Sequence, residues 1–133
     1  MQDYRNLDVV DRAHDHAIRI RKVTNTFPRT GFAEFKSQLT TAAESIPFNI
    51  VEGCGAESNI EFARFLRISI KSAFELEYQL KLARDYEVLP ESQWEPLTKE
   101  TVEIRKMTCG LRKAVLGKKK PDAPPGDEDE DLP

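Results

Sequence analysis

Between Phe62 and Ala83 the residues Phe62, Leu66, Ser69, Ala73, Leu76, Leu80 and Ala83 step alternately by four and by three. A strand would repeat its apolar face every second residue, whereas an α-helix brings residues three and four apart onto one face. A strict heptad stripe of this kind is not stable facing water and demands a helical partner. Ser58, three residues before Glu61, has the spacing of a capping box, so this helix is expected to open at Ser58.

Three further segments carry the same period. From about Leu7 to Phe27, the residues Val10, Ala13, Ala17, Ile20, Thr24 and Phe27 share a stripe that Pro28 and Gly31 end. A second helix begins near Phe32, turns Phe35, Leu39, Ala42, Ala43 and Ile46 inward, and closes at Gly53 and Gly55. The last starts just after Pro90 and repeats the heptad through Trp94, Leu97, Thr101, Ile104, Thr108, Leu111 and Val115. Amphipathic helices joined by short Pro and Gly turns favour antiparallel neighbours. The expected fold is therefore all-α, an up-and-down antiparallel four-helix bundle.

The 133 residues suffice for one domain. Residues 121–133 hold Asp122, Asp127, Glu128, Asp129, Glu130 and Asp131 and no Lys or Arg, among Pro121, Pro124, Pro125 and Gly126. Such a segment has almost nothing apolar to bury, which divides the chain into a bundle over 1–120 and a disordered acidic tail over 121–133. Without the tail, 20 basic and 17 acidic groups leave the body at +3, against −3 for the whole chain. No apolar run approaches a membrane span, and the first residues lack the pattern of an export signal, so a cytoplasmic protein with no membrane partner is expected. Cys54 and Cys109 then read as free thiols.

Ile70, Phe74 and Tyr78 form a second row on the third helix, about 100° round from the seam. Either the core face is wide or the row is a subunit interface, and the second reading predicts a homo-oligomer. Pro47 cannot donate to the carbonyl of Ala43, so the second helix is expected to kink or restart there. Asn49 falls on the heptad continuation of Ile46. It either satisfies backbone groups that Pro47 frees, with Glu52 facing solvent, or joins Glu52 and Gly53 in a polar contact surface beside the turn.

In this region Ile46 to Gly53, followed by Glu61, Phe62, Phe65, Leu66, Glu75, Leu76, Glu77, Gln79 and Leu80, resembles the bacterial four helix bundle proteins related to the 23S rRNA intervening sequence protein. Tyr4, Arg5, Leu7 and Val9 fit the same pattern. The resemblance implies a four-helix bundle assembling as a ring, with homopentamers the associated form. It also implies relatives encoded within rRNA genes, or accompanying a reverse transcriptase and nucleic acid. The chain departs from that pattern at Ala56, which follows Gly55 where many relatives carry Arg.

No catalytic constellation emerges from the residues. His14 and His16 lie about 200° apart on a helix, cannot chelate one ion, and are read as facing solvent. Glu75 and Glu77 point to different faces, and no phosphate-binding glycine loop is present. No cofactor, metal or small-molecule substrate is expected. From Lys99 to Lys120, eight basic residues stand against Glu100 and Glu103. Arg105, Lys106, Arg112, Lys113, Lys118, Lys119 and Lys120 are the candidate phosphate contacts. The same cations could merely complement a helix C-terminus, or be screened by the acidic tail. The leading expectation is a non-enzymatic oligomeric scaffold contacting nucleic acid or a nucleic-acid-associated protein. The alternative is a protein-only module that turns its acidic tail toward a basic partner.

Overall fold

A computed structural model describes residues 1–117, and the tail and Lys118 to Lys120 lie outside the described residues. After a short 3-10 turn, Tyr4–Asn6, come four helices: α1 (Asp8–Thr24), α2 (Ala33–Cys54), α3 (Asn59–Asp85) and α4 (Glu91–Gly117). The described residues contain no strand. Successive helices run antiparallel, and α1 closes the bundle against α4. The Ser58 side chain accepts from the Glu61 N–H at 3.1 Å, as the capping spacing predicts. The Glu61 carboxylate turns outward to Arg64 at 2.9 Å.

All seven heptad residues of α3 are buried. On α1 the expected residues Val10, Ala13, Ile20, Thr24 and, beyond the helix, Phe27 are buried, Ala17 is half-buried against the core, and Val9, His16 and Val23 widen the buried face by one position. His16 was expected to face solvent and instead occupies a core position, where it is 1% exposed. Thr101 Oγ1 donates to the Leu97 carbonyl at 2.8 Å, so the 2.7 Å contact between His16 Nε2 and that hydroxyl requires the proton on Nε2. Nδ1 is left buried without a hydrogen-bond partner among the described residues.

Helix α2 does not restart at Pro47 but runs on through it to Cys54. Ile46 and Ile50, on either side of the proline, are fully buried, and polar bonds clamp the same stretch to α3. Ser69 Oγ donates to the Ile46 carbonyl at 2.9 Å, and the Ser45 and Ser72 hydroxyls meet at 2.7 Å. These contacts outweigh the one backbone bond that proline removes. Pro96 likewise lies inside α4, a position the sequence reading passed over.

Burial pushes the His16 pKa down to about 4, with Arg19 adding to the effect and Glu100 opposing it. An unfolded histidine titrates near 6.5, so between these values the unfolded chain holds the extra proton. Stability is complete above that range, falls as pH drops through it, and levels off below. The loss amounts to about 3 kcal/mol. Urea midpoints measured at neutral pH and at about pH 4.5 should show a smaller acid loss for His16→Gln than for the native chain, and parallel losses would contradict the buried neutral imidazole.

Candidate functional site

The cations of α4 fall into two groups. Arg105 is 5% exposed: its guanidinium lies 4.4 Å over the Phe74 ring, and Nη2 reaches Glu77 Oε1 at 3.3 Å. Its Nε and Nη1 are buried with no hydrogen-bond partner among the described residues. Arg112, seven residues on, is 9% exposed and donates through Nε to the Ala63 carbonyl at 2.9 Å. Neither can meet a phosphate without leaving its place, which corrects their assignment as contacts. Each stands one helical turn after a buried threonine, Thr101 or Thr108, and so lies on the flank that α4 turns toward α3.

Lys106 and Lys113 point outward, while Lys118, Lys119 and Lys120 lie outside the described residues. The register that the two arginines fix, Arg112 on Ala63 and Arg105 on Phe74, sets Lys113 about level with Arg64 and Lys106 about level with Lys71. Arg64, Arg67 and Lys71 form an exposed row on α3 that the sequence reading missed. Their spacing of three and then four residues was the available signal. Arg64 pairs with Glu61 and lies 4.7 Å over the Phe65 ring. Among the described residues neither Lys71 nor Lys106 forms an ion pair. The outer face of α3 and α4 thus carries cations from both helices.

The other expected sites separate. Ile70 is 1% exposed and belongs to the interior of this chain, Phe74 is half-buried beneath Arg105, and Tyr78 is 60% exposed. As a row available to a second subunit, the three fail at Ile70. Asn49 does not bond the carbonyl of Ala43. Its Nδ2 donates to the Ser45 carbonyl at 2.8 Å and to Ser45 Oγ at 2.9 Å. Gly53 is buried, and a Cβ there would stand 2.8 Å from Phe62 Cδ1 and 3.1 Å from Phe65 Cβ. Glu52 alone of that trio faces solvent, so Asn49, Glu52 and Gly53 do not make one contact surface.

A groove of about 610 Å³ lies between α1 and α2. Val10, Ala17, Ile18, Pro47, Phe48 and Val51 supply its apolar lining. Phe48 is 70% exposed and Ile18 44%. Among the described residues no group of three or more His, Cys, Asp or Glu could hold a metal ion, and no helix is long and apolar enough to cross a membrane. Cys54 and Cys109 are free thiols, and burial raises the pKa of each.

With four helices in place and this geometry established, the profile of the 23S rRNA-intervening sequence proteins matches residues 5–110. The chain belongs to that family. A crystal structure from Bacteroides thetaiotaomicron, of a protein with unknown function from the S23 ribosomal protein family, is similar at 29% identity and a TM-score of 0.74. The match covers 79% of this chain and 98% of that one. The curated proteins provide no match. The matched span ends at residue 110, so it includes Arg64, Arg67, Lys71 and Lys106 and stops short of Lys113.

Buried and exposed cations on one helix should respond differently to truncation. Arg105→Ala should cost about 2 kcal/mol, through the lost charge-assisted bond and the aliphatic packing of its stem. Lys106→Ala, next in sequence, should change stability by no more than about 0.5 kcal/mol. Chemical denaturation of the two variants checks the contrast, and equal effects would contradict the division made above.

Proposed function

We propose that this protein is a non-catalytic, self-assembling scaffold whose α3 and α4 outer face contacts nucleic acid through its phosphates. The observation that carries the reading is the pair Lys71 and Lys106, exposed from neighbouring helices at about one level with no ion pair among the described residues. Arg64, Arg67 and Lys113 extend that surface, and Lys118 to Lys120 follow in sequence. Helix dipole compensation gives a reason for Lys113 near the end of α4, but none for Lys71 in the middle of α3. The family description, which ties relatives to an rRNA intervening sequence, favours nucleic acid over other polyanions.

Phosphate contacts release counterions, so affinity for a labelled single-stranded RNA should fall steeply with salt. Four contacts imply roughly a 50-fold loss between about 50 and 200 mM salt. Reversing Lys71, Lys106 and Lys113 to Glu should abolish binding at the lower salt while helicity is kept. Unchanged affinity would reject the reading.

Self-assembly draws on the apolar surface left uncovered. Phe48 and Ile18 are exposed at the α1 and α2 groove, and Ile60, Ile68 and Tyr78 are exposed on α3. The groove and the exposed apolar side chains of α3 are different surfaces, and contacts between unlike surfaces generate rings when the rotation closes. A ring, with five copies as the sequence resemblance implies, belongs to this proposal. Sedimentation at micromolar concentration should give a mass well above 15.2 kDa, and Phe48→Glu should return it to that of one chain. A monomeric native protein would remove this part.

A further inference from the structure

We infer that the nucleic acid taken by the cationic face is single-stranded, with Tyr78 as the platform on which an unpaired base stacks. This rests on the phosphate-contact face proposed above and deepens it by naming the form of nucleic acid. Three observations carry it.

The first is that the Tyr78 ring is bare. Phe62 of α3 is buried in the core. The other aromatic rings of α3 and α4 each lie beneath a guanidinium: Phe65 under Arg64 at 4.7 Å, Phe74 under Arg105 at 4.4 Å and Trp94 under Arg84 at 4.2 Å. Tyr78 is 60% exposed, and among the described residues no cation covers it and no second ring meets it.

The second is alignment. Tyr78 comes one heptad after Lys71, and Lys71 one heptad after Arg64, so the three stand within about 40° of one another round α3 and about 10 Å apart along it. Arg67 falls on the same side, leaning toward α4. Glu75, the exposed acid between Lys71 and Tyr78, is turned the other way, about 60° round from Tyr78 and toward the Ser72 flank that meets α2. The register of Arg105 on Phe74 and Arg84 on Trp94 sets the exposed Lys99 of α4 about level with Tyr78.

The third is what a bare ring in a row of cations can recognise. Phosphates held on Arg64 and Lys71 lay a strand along α3 and bring its next bases over Tyr78. A duplex presents base edges and backbone, its base faces being stacked on one another, so the phenol ring has nothing to cover. An unpaired base offers a π face whatever its identity, and a tyrosine, with two side-chain torsions to fix, meets it at small entropic cost. Cations alone would favour the duplex, whose charge is denser along its axis. A preference for the single strand is therefore the property that the ring adds. Tyr78 belongs to the nucleic acid on this assignment, and Ile60 and Ile68 of α3 are left for contacts between copies.

The test uses the full chain and three labelled RNAs of one length at about 50 mM salt: a mixed-sequence single strand, that strand annealed to its complement, and an abasic strand that keeps every phosphate. The native chain should bind the single strand about tenfold more tightly than the duplex, and Tyr78→Ala should remove the difference by weakening the single strand alone. Tyr78→Phe keeps the ring and should bind all three as the native chain does. Sedimentation of Tyr78→Ala should give the native mass.

Equal native affinity for single strand and duplex overturns the inference. So does a Tyr78→Ala chain that binds the single strand as the native chain does, or that loses the duplex and the abasic strand by the same factor. A lowered mass for Tyr78→Ala places the ring between copies and overturns it too. If any of these occurs while reversal of Lys71, Lys106 and Lys113 still abolishes binding, the phosphate-contact reading stands. If that reversal changes nothing and Tyr78→Ala still weakens the single strand alone, the base contact stands and the phosphate-contact reading fails. A native chain that binds none of the three RNAs rejects both.

Discussion

The close approach of α2 and α3 is the constraint on which the remaining packing depends. Ala42, Ala43, Ser69, Ser72 and Ala73 are all buried, and residues of this size let two backbones draw near enough for hydroxyls to bridge them. Gly53 extends the same logic to the end of α2, where the Phe62 and Phe65 side chains occupy the space a Cβ would take. Because Ser69 holds the Ile46 carbonyl and Ser72 meets Ser45, α2 is held against α3 in the turn that leads into Pro47, and buried Ile50 anchors the turn that follows. Helices α1 and α4 then complete the bundle against a hairpin whose register is already set.

The polar groups that α1 and α4 bring inside specify how they complete it. A buried cation or imidazole is costly unless its partner is in place, so each tolerates few alternative registers. Arg112 on the Ala63 carbonyl and Arg105 between Phe74 and Glu77 hold α4 on α3. His16 on Thr101, with Arg12 on Glu100 at 2.6 Å beside it, holds α1 on α4. An apolar seam alone would accept a shift of one heptad with little loss. These contacts would not.

Residue by residue, the sequence was legible where its pattern was purely apolar and misleading where a polar side chain sat on the core face. The α3 stripe was read without error because nothing ionisable interrupts it. On α1 the stripe through Val10, Ala13, Ile20 and Thr24 is buried as read, but His16, between Val9 and Val23 on the adjoining part of the same face, hid how wide that face is. Arg105 and Arg112 were counted as surface charge for the same reason. Their places one turn after core threonines mark them as flank residues, but sequence alone does not reveal that Phe74 and Glu77 wait opposite. The α1 and α2 groove was hidden differently: Phe48 follows Pro47 directly and falls outside any helical stripe, so only the packed helices show it to be exposed.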